Sequence, residues 1–494
     1  MMEKLIDYIV FLPLLAAIAM MAARAGISTI RNISFLVSSL TFLLTLYLAT
    51  HFDFSSTRMQ FVKYGEWIPS YGISYHTGID SISLTLLLTV SMLMPILHIY
   101  MWRYEAKGYW YNMLLLQTGV SGAIVALDMI LFYLFWETML LPIFIMIGRY
   151  GHDMNRFNAM KILLYTILGS MAMLFSILYL GYGYFENYGT WSFAYENLAM
   201  LSFDRETSVI LAAGFLLAFA IKIPLIGFHT WMAPAYGSAP TPALVILSAV
   251  MAKLGIYGIW RFGYGIFGNT LEFYEPYIAA LAIGGMLYYA IEAVTENDLR
   301  RVFAYSSGSH LSLIALGLAI SNIYSWSGSL YFIATHALSS AGIFLMIGLI
   351  YRRSGSVKIT QLGGIAQKAP IFAFFFSFFA LSIAAVPGTG NFVSELLIVI
   401  GAFRHDIVTG FLAALTIIAA ILYIFRVLRR TLYGEPSQSV ESFAELSRGE
   451  ILMLLPLLLS LLATGLFPSF FLSLSQSRLE SILQSLIGSM GGFQ

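Results

Sequence analysis

The chain has 494 residues, 59% of them hydrophobic and only 10% charged, with a formal net charge of +1. A soluble domain of this length could not cover so much apolar surface, so the composition excludes one and indicates a polytopic membrane protein. The absence of cysteine excludes disulfides, iron–sulfur ligation by this chain and a cysteine nucleophile. No basic patch with interleaved aromatics points to nucleic acid.

Windows of about 20 apolar residues predict fourteen membrane helices. The first three lie near 5–22, 32–50 and 81–102, and the next five near 111–128, 129–148, 161–183, 208–230 and 243–260. Five more follow near 275–294, 301–320, 327–350, 371–402 and 406–428, and the last near 450–474. The run Leu5–Ala22 has neither a basic leader segment nor a cleavage site, so it reads as a retained span. Little chain follows the last helix, and no long amphipathic extension is expected there.

Basic residues test this count, because cytoplasmic connections collect Lys and Arg. Connections after odd-numbered helices carry 17 of the 26 basic residues, against seven on the opposite side and the termini. The remaining two, Lys222 and Lys253, lie inside spans. Both termini are therefore expected outside the cytoplasm.

Two runs are interrupted. In Phe219-Ala-Ile-Lys222-Ile-Pro224 a proline removes a backbone donor and opens the helix beside a lysine. The run 371–402 is too long for one straight span, and Pro387-Gly388-Thr389-Gly390 breaks it. The two prolines lie 163 residues apart, and the fourth and ninth helices start 164 apart. Broken helices at matching positions indicate a repeat transporter fold with its site at the breaks. Each repeat holds an odd number of helices, so the second must be inverted. The expected fold is thus an all-α polytopic membrane protein with two inverted five-helix repeats. Its parts are N-terminal helices 1–3 (residues 1–105), a first repeat (106–265), an inverted second repeat (266–432) and helix 14 with its tail (433–494).

Four charges lie well inside spans: Glu137, Lys222, Lys253 and Glu395, with His229, His310 and His336 in or near them. Charges at such depth are costly and usually mark a transport path. Desolvation favours the neutral form of a buried lysine or carboxylate, and a nearby opposite charge favours the ionised one. A Glu–Lys pair that opens and closes is then a two-state proton switch, and histidines between such groups hand protons onward. The plainer readings are a static ion pair for Glu137 and Lys222, snorkelling for Lys253 and Glu395, and carbonyl-bonded histidines. Asp128 and Glu292 read as interfacial, and Arg300-Arg301 and Arg352-Arg353 as topology signals. Phosphate-binding loops, dinucleotide fingerprints and His-Glu-x-x-His are absent from the sequence.

Several stretches occur together: Gly78-Ile-Asp80-Ser, Phe135-Trp-Glu137, Ile221-Lys-Ile-Pro224, Phe228-His-Thr-Trp231, Ala252-Lys-Leu-Gly255, Asp298-Leu-Arg-Arg301 with His310, and Pro387-Gly-Thr-Gly-Asn-Phe392 with Glu395. As a set, over roughly residues 70 to 430, they resemble the antiporter-like subunits of respiratory complex I, and among them the M-type (chain 4). The resemblance implies that Glu137 and Lys222 are the coupling pair and Lys253 the central lysine. It also implies that His310 and His336 lie on the polar axis and that Glu395 ends the channel. Glutamate at 395 resembles the M-type, where L- and N-types and cation/proton antiporters typically carry lysine. In the expected cytoplasmic loop 232–238 after Trp231, the family's Asp, His and Glu are replaced here by Pro234, Tyr236 and Ser238, which implies a different proton uptake route and a branch whose donor need not be NADH.

The function expected from the resemblance is a proton-translocating membrane-arm subunit of a complex-I-like quinone oxidoreductase in a prokaryotic inner membrane. No cofactor is expected in this chain; iron–sulfur clusters, flavin and quinone belong on partner subunits. The alternatives are a subunit of a multisubunit cation/proton antiporter or of a membrane-bound hydrogenase.

Overall fold

The computed structural model describes residues 3–268 and 270–490. In chain order the elements are α1 (Glu3–Ala22), α2 (Ile27–Thr50), β1 (Gln60–Ile68), β2 (Ile73–Ile79), α3 (Ser81–Tyr100), α4 (Lys107–Val125), α5 (Met129–Thr138), α6 (Leu140–Tyr150) and α7 (Asn155–Tyr188). There follow α8 (Tyr195–Leu198), α9 (Arg205–Lys222), α10 (Met232–Ser238), α11 (Thr241–Ile246), α12 (Ala252–Gly258), α13 (Gly265–Phe267), α14 (Thr270–Thr295) and α15 (Leu299–Ala319). The last are α16 (Ile323–Ser354), α17 (Ile365–Lys368), α18 (Pro370–Ile383), α19 (Gly390–His405), α20 (Ile407–Leu432), α21 (Arg448–Leu466) and α22 (Pro468–Met490). Two π segments, Leu247–Met251 and Ile259–Tyr264, flank α12.

Among the described residues, 11 helices are long and apolar enough to cross a membrane. The other expected spans fall on α4, on α9 and on the α18–α19 pair. The expected break of 371–402 is present, with α18 stopping at Ile383 and α19 starting at Gly390. Likewise α9 stops at Lys222, two residues before Pro224.

Three features differ from the sequence reading. Residues 60–79 form an antiparallel hairpin, pairing Lys63 with Thr77 and Gly65 with Tyr75, so the described residues hold a two-stranded sheet beside their helices. The expected span 450–474 stops at Leu466, because Pro468 disfavours helical geometry at the residue before it. A further helix, α22, then replaces the short tail. Finally, the stretch 232–238 is not a loop: it is the helix α10, with Tyr236 and Ser238 buried.

The chain forms two compact units, each described by itself. One comprises Met1–Lys222, Leu254–Glu275 and Ser477–Gln494; the other comprises Ile223–Lys253 and Pro276–Gln476. In the first unit α1–α4 pack on one another and α7 packs on α6 and α9. A Cβ at Gly214 of α9 would lie 2.7 Å from the Ala172 carbonyl oxygen of α7. Only glycine allows that approach, which carries Lys222 into the interior. In the second unit α16 is central, packing on α15, α18, α19 and α21. The spanning windows of α15 and α16 are 100% and 94% buried, against 33% for α20. Every polar group on α15 and α16 must therefore find a partner inside the protein, whereas α20 presents much of its surface to its surroundings.

The same local pattern recurs in both units. Asp128 caps α5, its Oδ1 accepting from Ile130 N and Leu131 N, and Asp298 caps α15 through Arg300 N and Arg301 N. Next to each cap, Tyr195 N donates to Leu127 O at 2.7 Å and Ile359 N to Asn297 O at 2.8 Å. The two breaks, whose glycines both belong to the second unit, also match: Gly227 and Gly388 have φ near +90° (91° and 96°), a region that strongly favours glycine. The two glycines, like the helix ends Lys222 and Ile383, are 161 positions apart. The prolines are offset within this frame. Pro224 corresponds to Ala385 and Pro387 to Ile226, so the breaks share backbone geometry and place their prolines differently.

Asp80 ties the first unit together. It caps α3, and its buried carboxylate receives the Arg261 guanidinium and, at 3.2 Å, Arg478 Nε of α22. Burial pushes this carboxyl up, but the charges of Arg261 and Arg478 outweigh it and hold the group well below the usual carboxylate range. A depressed pKa adds stability that is present above the unfolded value of about 3.9 and is lost as pH falls through the folded one. Asp80→Asn leaves two guanidiniums without their shared charge and should destabilise the protein by about 3–5 kcal/mol. The gap in thermal midpoint between wild type and Asp80→Asn should stay constant between about pH 5 and pH 8. A gap that shrinks across that window contradicts the assignment.

Candidate functional site: two clusters of buried charge

In the first unit, α5 and α9 bring Glu137 and Lys222 within reach of each other's charge. Glu137 is the penultimate residue of α5, where the helix is interrupted before α6 resumes at Leu140. Lys222 is buried, and its Nζ lies 4.6 Å from the centroid of the Trp136 ring. That cation–π contact stabilises a desolvated ammonium without fixing it in a hydrogen bond. Ser170 of α7 reaches the Glu137 carboxylate. Neither Glu137 Oε1 nor Lys222 Nζ has a hydrogen-bond partner among the described residues. Lys222 Nζ thus makes no direct hydrogen bond to Glu137. Trp136 was quoted from the sequence only as part of a motif, and its role as the lysine's seat was not legible there.

In the second unit, Lys253, His336, His310 and Glu395 form a continuous buried series. Lys253 Nζ donates to the Ser248 carbonyl of the π segment and lies 2.8 Å from His336 Nδ1. The rings of His336 and His310 are 5.3 Å apart between centroids. His310 Nε2 lies 3.5 Å from Glu395 Oε1. All four residues are at most 1% exposed, which excludes snorkelling for Lys253 and Glu395. Phe332 packs against both imidazoles, 5.5 Å from each. Small hydroxyls border the series: Ser248 pairs with Ser307 at 2.9 Å, Ser306 with Tyr423 at 2.8 Å and Thr335 with Ser394 at 3.1 Å.

The remaining sequence candidates lie elsewhere. His229 sits in the break after α9, its Nδ1 accepting from Gly227 N at 3.2 Å and its ring against Tyr288 and Tyr289. These contacts make it a structural part of the turn. Asp128 is fully buried, accepting from the amide and hydroxyl of Ser74. Arg300 is also buried, stacked 4.7 Å over Tyr351, so it does more than signal topology. Tyr236 is buried beside Trp231 and Phe344. The tyrosine that replaces the family's histidine is therefore an interior side chain.

The family described as NADH:quinone oxidoreductase/Mrp antiporter, TM, matches residues 126–422, more than half of the chain and both clusters. The chain belongs to that family. Among its relatives, NADH-ubiquinone oxidoreductase chain 4 of Marchantia polymorpha is 30% identical over 466 residues, covering 93% of each sequence. NADH-quinone oxidoreductase subunit M of Rhodobacter capsulatus is 31% identical over 482 residues, covering 94% of each. Among solved structures, respiratory complex I from Thermus thermophilus with bound NADH contains a chain with TM-score 0.88 and 26% identity, covering 98% of this chain and 100% of that one. The Mrp complex from a Dietzia species gives TM-score 0.87 at 22% identity over 98% and 99% of the two chains, a likeness of fold. As a member of this family, the chain is a multi-pass membrane protein.

The position of Glu395 depends on how closely α19 lies against α16. A Cβ at Gly328 of α16 would sit 2.8 Å from both Ser394 O and Ile398 N, backbone atoms that cannot swing aside. Asn391 Nδ2 donates to Ser339 Oγ at 2.9 Å and fixes the register of the two helices. Gly328→Val should therefore push α19 away and lower proton transport by the assembly several-fold while every titratable group stays in place. Transport at the wild-type rate in that variant would show that the approach does not set the site.

Proposed function

We propose that this chain is a proton-translocating membrane-arm subunit of a complex-I-like quinone oxidoreductase. The observation that carries the reading is the buried series Lys253–His336–His310–Glu395. A fully desolvated cationic group and a carboxylic group stand at the ends of two imidazoles, each step within about one hydrogen bond or one bridging water. His336 Nδ1 and Lys253 Nζ are hydrogen-bonded, with the direction set by the imidazole tautomer; in the tautomer in which Nδ1 accepts, a proton taken there is released from Nε2. His310 passes it to Glu395 in the same manner. The His310 nitrogens and both Glu395 oxygens have no protein hydrogen-bond partner among the described residues. Buried polar groups of this kind are satisfied by water, which also completes a proton path.

In this reading Glu137 and Lys222 are the switch. When Glu137 is ionised and close, its charge holds the proton on Lys222; when it withdraws, the lysine gives the proton up. The electrons run elsewhere, through iron–sulfur clusters, flavin and quinone on partner subunits, since this chain has no cysteine. Curated relatives named as subunits of NADH-quinone and NADH-ubiquinone oxidoreductases support that partnership. The neighbouring membrane-arm subunits supply the drive. The membrane is the inner membrane of a prokaryotic cell, with both termini outside the cytoplasm by the distribution of basic residues. The stretches 106–265 and 266–432 are read as inverted repeats, a reading supported by the shared caps and breaks. The family also takes in Mrp antiporters, and exchange of sodium for protons without quinone chemistry would favour that second reading.

Glu137→Gln, Lys222→Ala and Glu395→Gln should each abolish proton translocation while the assembly still forms and its iron–sulfur content is unchanged. The ratio of protons moved to quinone reduced, measured in reconstituted vesicles, is the readout. A wild-type ratio in any of the three removes that residue from the relay.

A further inference from the structure

The second unit has an open groove that takes no part in the proton series. It lies between α18 and α20 and encloses about 600 Å³, with Leu381, Leu422 and Phe425 along its length and Arg426, Arg429 and Tyr433 at one end. On α20 the exposed apolar residues Phe411, Leu415, Ile418, Leu422 and Phe425 recur every three or four positions. This is a single stripe running into Arg429. From Phe411 to Phe425 the stripe is about 21 Å long at 1.5 Å per residue, the length of an extended acyl chain. The polar end carries excess positive charge. Arg426 spends one nitrogen on the Glu296 carbonyl, while its buried Nε has no hydrogen-bond partner among the described residues. The Glu296 carboxylate is itself engaged by Arg301 at 3.0 Å. Arg429 and Arg430 are exposed beside it.

We propose that this groove binds an anionic phospholipid. One acyl chain lies along Leu381, Leu422 and Phe425, and the headgroup phosphate is held by Arg426 and Arg429. An apolar groove that ends in guanidiniums, continued along α20 by an exposed apolar stripe of about chain length, fits a phosphodiester with a hydrocarbon tail. A partner's apolar helix would leave those charges without a counter-ion. Tyr433 closes the site at headgroup level, where amphipathic rings settle.

The test uses the intact assembly with a benzophenone amino acid at position 422, reconstituted in vesicles of phosphatidylcholine and phosphatidylglycerol in equal parts. After irradiation, adducts on this chain are identified by mass spectrometry. Phosphatidylglycerol should dominate the adducts in the otherwise wild-type protein. Its excess should fall about fivefold for each arginine removed, in Arg429→Gln and in Arg426→Gln/Arg429→Gln. Arg429→Gln alone keeps the Arg426 contact to Glu296, so its result does not depend on folding of the double variant. Equal labelling by both lipids, unchanged selectivity in Arg429→Gln, or cross-links to a partner subunit instead of lipid would each overturn the proposal.

Discussion

A charge inside a membrane helix has no water to turn to, and the backbone of a regular helix has no free groups to offer it. The four intramembrane charges of this protein are each placed where the helix is irregular. Glu137 is next to the end of α5, Lys222 is the last residue of α9, Lys253 lies two residues past the end of a π segment, and Glu395 is the sixth residue of α19, the helix that follows a break. Irregularity releases carbonyls and amides that would otherwise be spent on the helix. The carbonyl that Lys253 uses, Ser248 O, belongs to the π segment. Glycines then do the packing: Gly214 and Gly328 let neighbouring helices approach closely enough to place these charges among side chains rather than lipid.

The two clusters serve different physical ends. Around Lys222 the contacts are weak and non-directional, an aromatic face and a carboxylate at a distance, so the lysine's environment can change without breaking a strong bond. Around His336 and His310 the spacing is graded: Lys253 Nζ and His336 Nδ1 are hydrogen-bonded at 2.8 Å, the two imidazoles are 5.3 Å apart between centroids, and His310 Nε2 is 3.5 Å from Glu395 Oε1. In the proposed mechanism the first arrangement suits the switch and the second the relay. There the hydroxyl pairs around the histidines assist the relay, because serines and threonines can rotate to donate or accept as charge passes.

Much of this was legible in the sequence because membrane helices expose their exceptions. A Lys, Glu or Pro in an apolar run stands out, and Glu137, Lys222, Lys253, Glu395, Pro224 and Pro387 were all found that way. What escaped detection was pairing at distance. Asp80 and Arg261 lie 181 positions apart, and nothing local marks Arg261 as anything but a basic residue near a span end. The hairpin at 60–79 was hidden because its faces are both polar and aromatic and no strong period of two appears. Helix α22 was missed because Pro468 and several serines depress its apolar signal, though a helix needs only a face to pack. The stretch 232–238 looked like a loop for a similar reason: Pro234 and Gly237 are weak helix formers, and burial of Tyr236 outweighs them.

The shared geometry of the two breaks makes their chemical difference informative. Each falls, along the chain, between the end of one helix and the start of the next, and helix ends carry partial charge: negative at the C-terminus, positive at the N-terminus. In the first break the cation occupies the favourable end, with Lys222 closing α9. The matching residue before the second break is Ile383, and there the charge sits after the break instead, with Glu395 in the opening turns of α19. Lys222 is thus at the end whose dipole suits its sign, whereas Glu395, the sixth residue of α19, lies beyond the first turn in which that effect acts. In the proposed mechanism a proton leaving Lys222 discharges the end of α9 and removes that stabilisation, so protonation state and backbone break are coupled at this site.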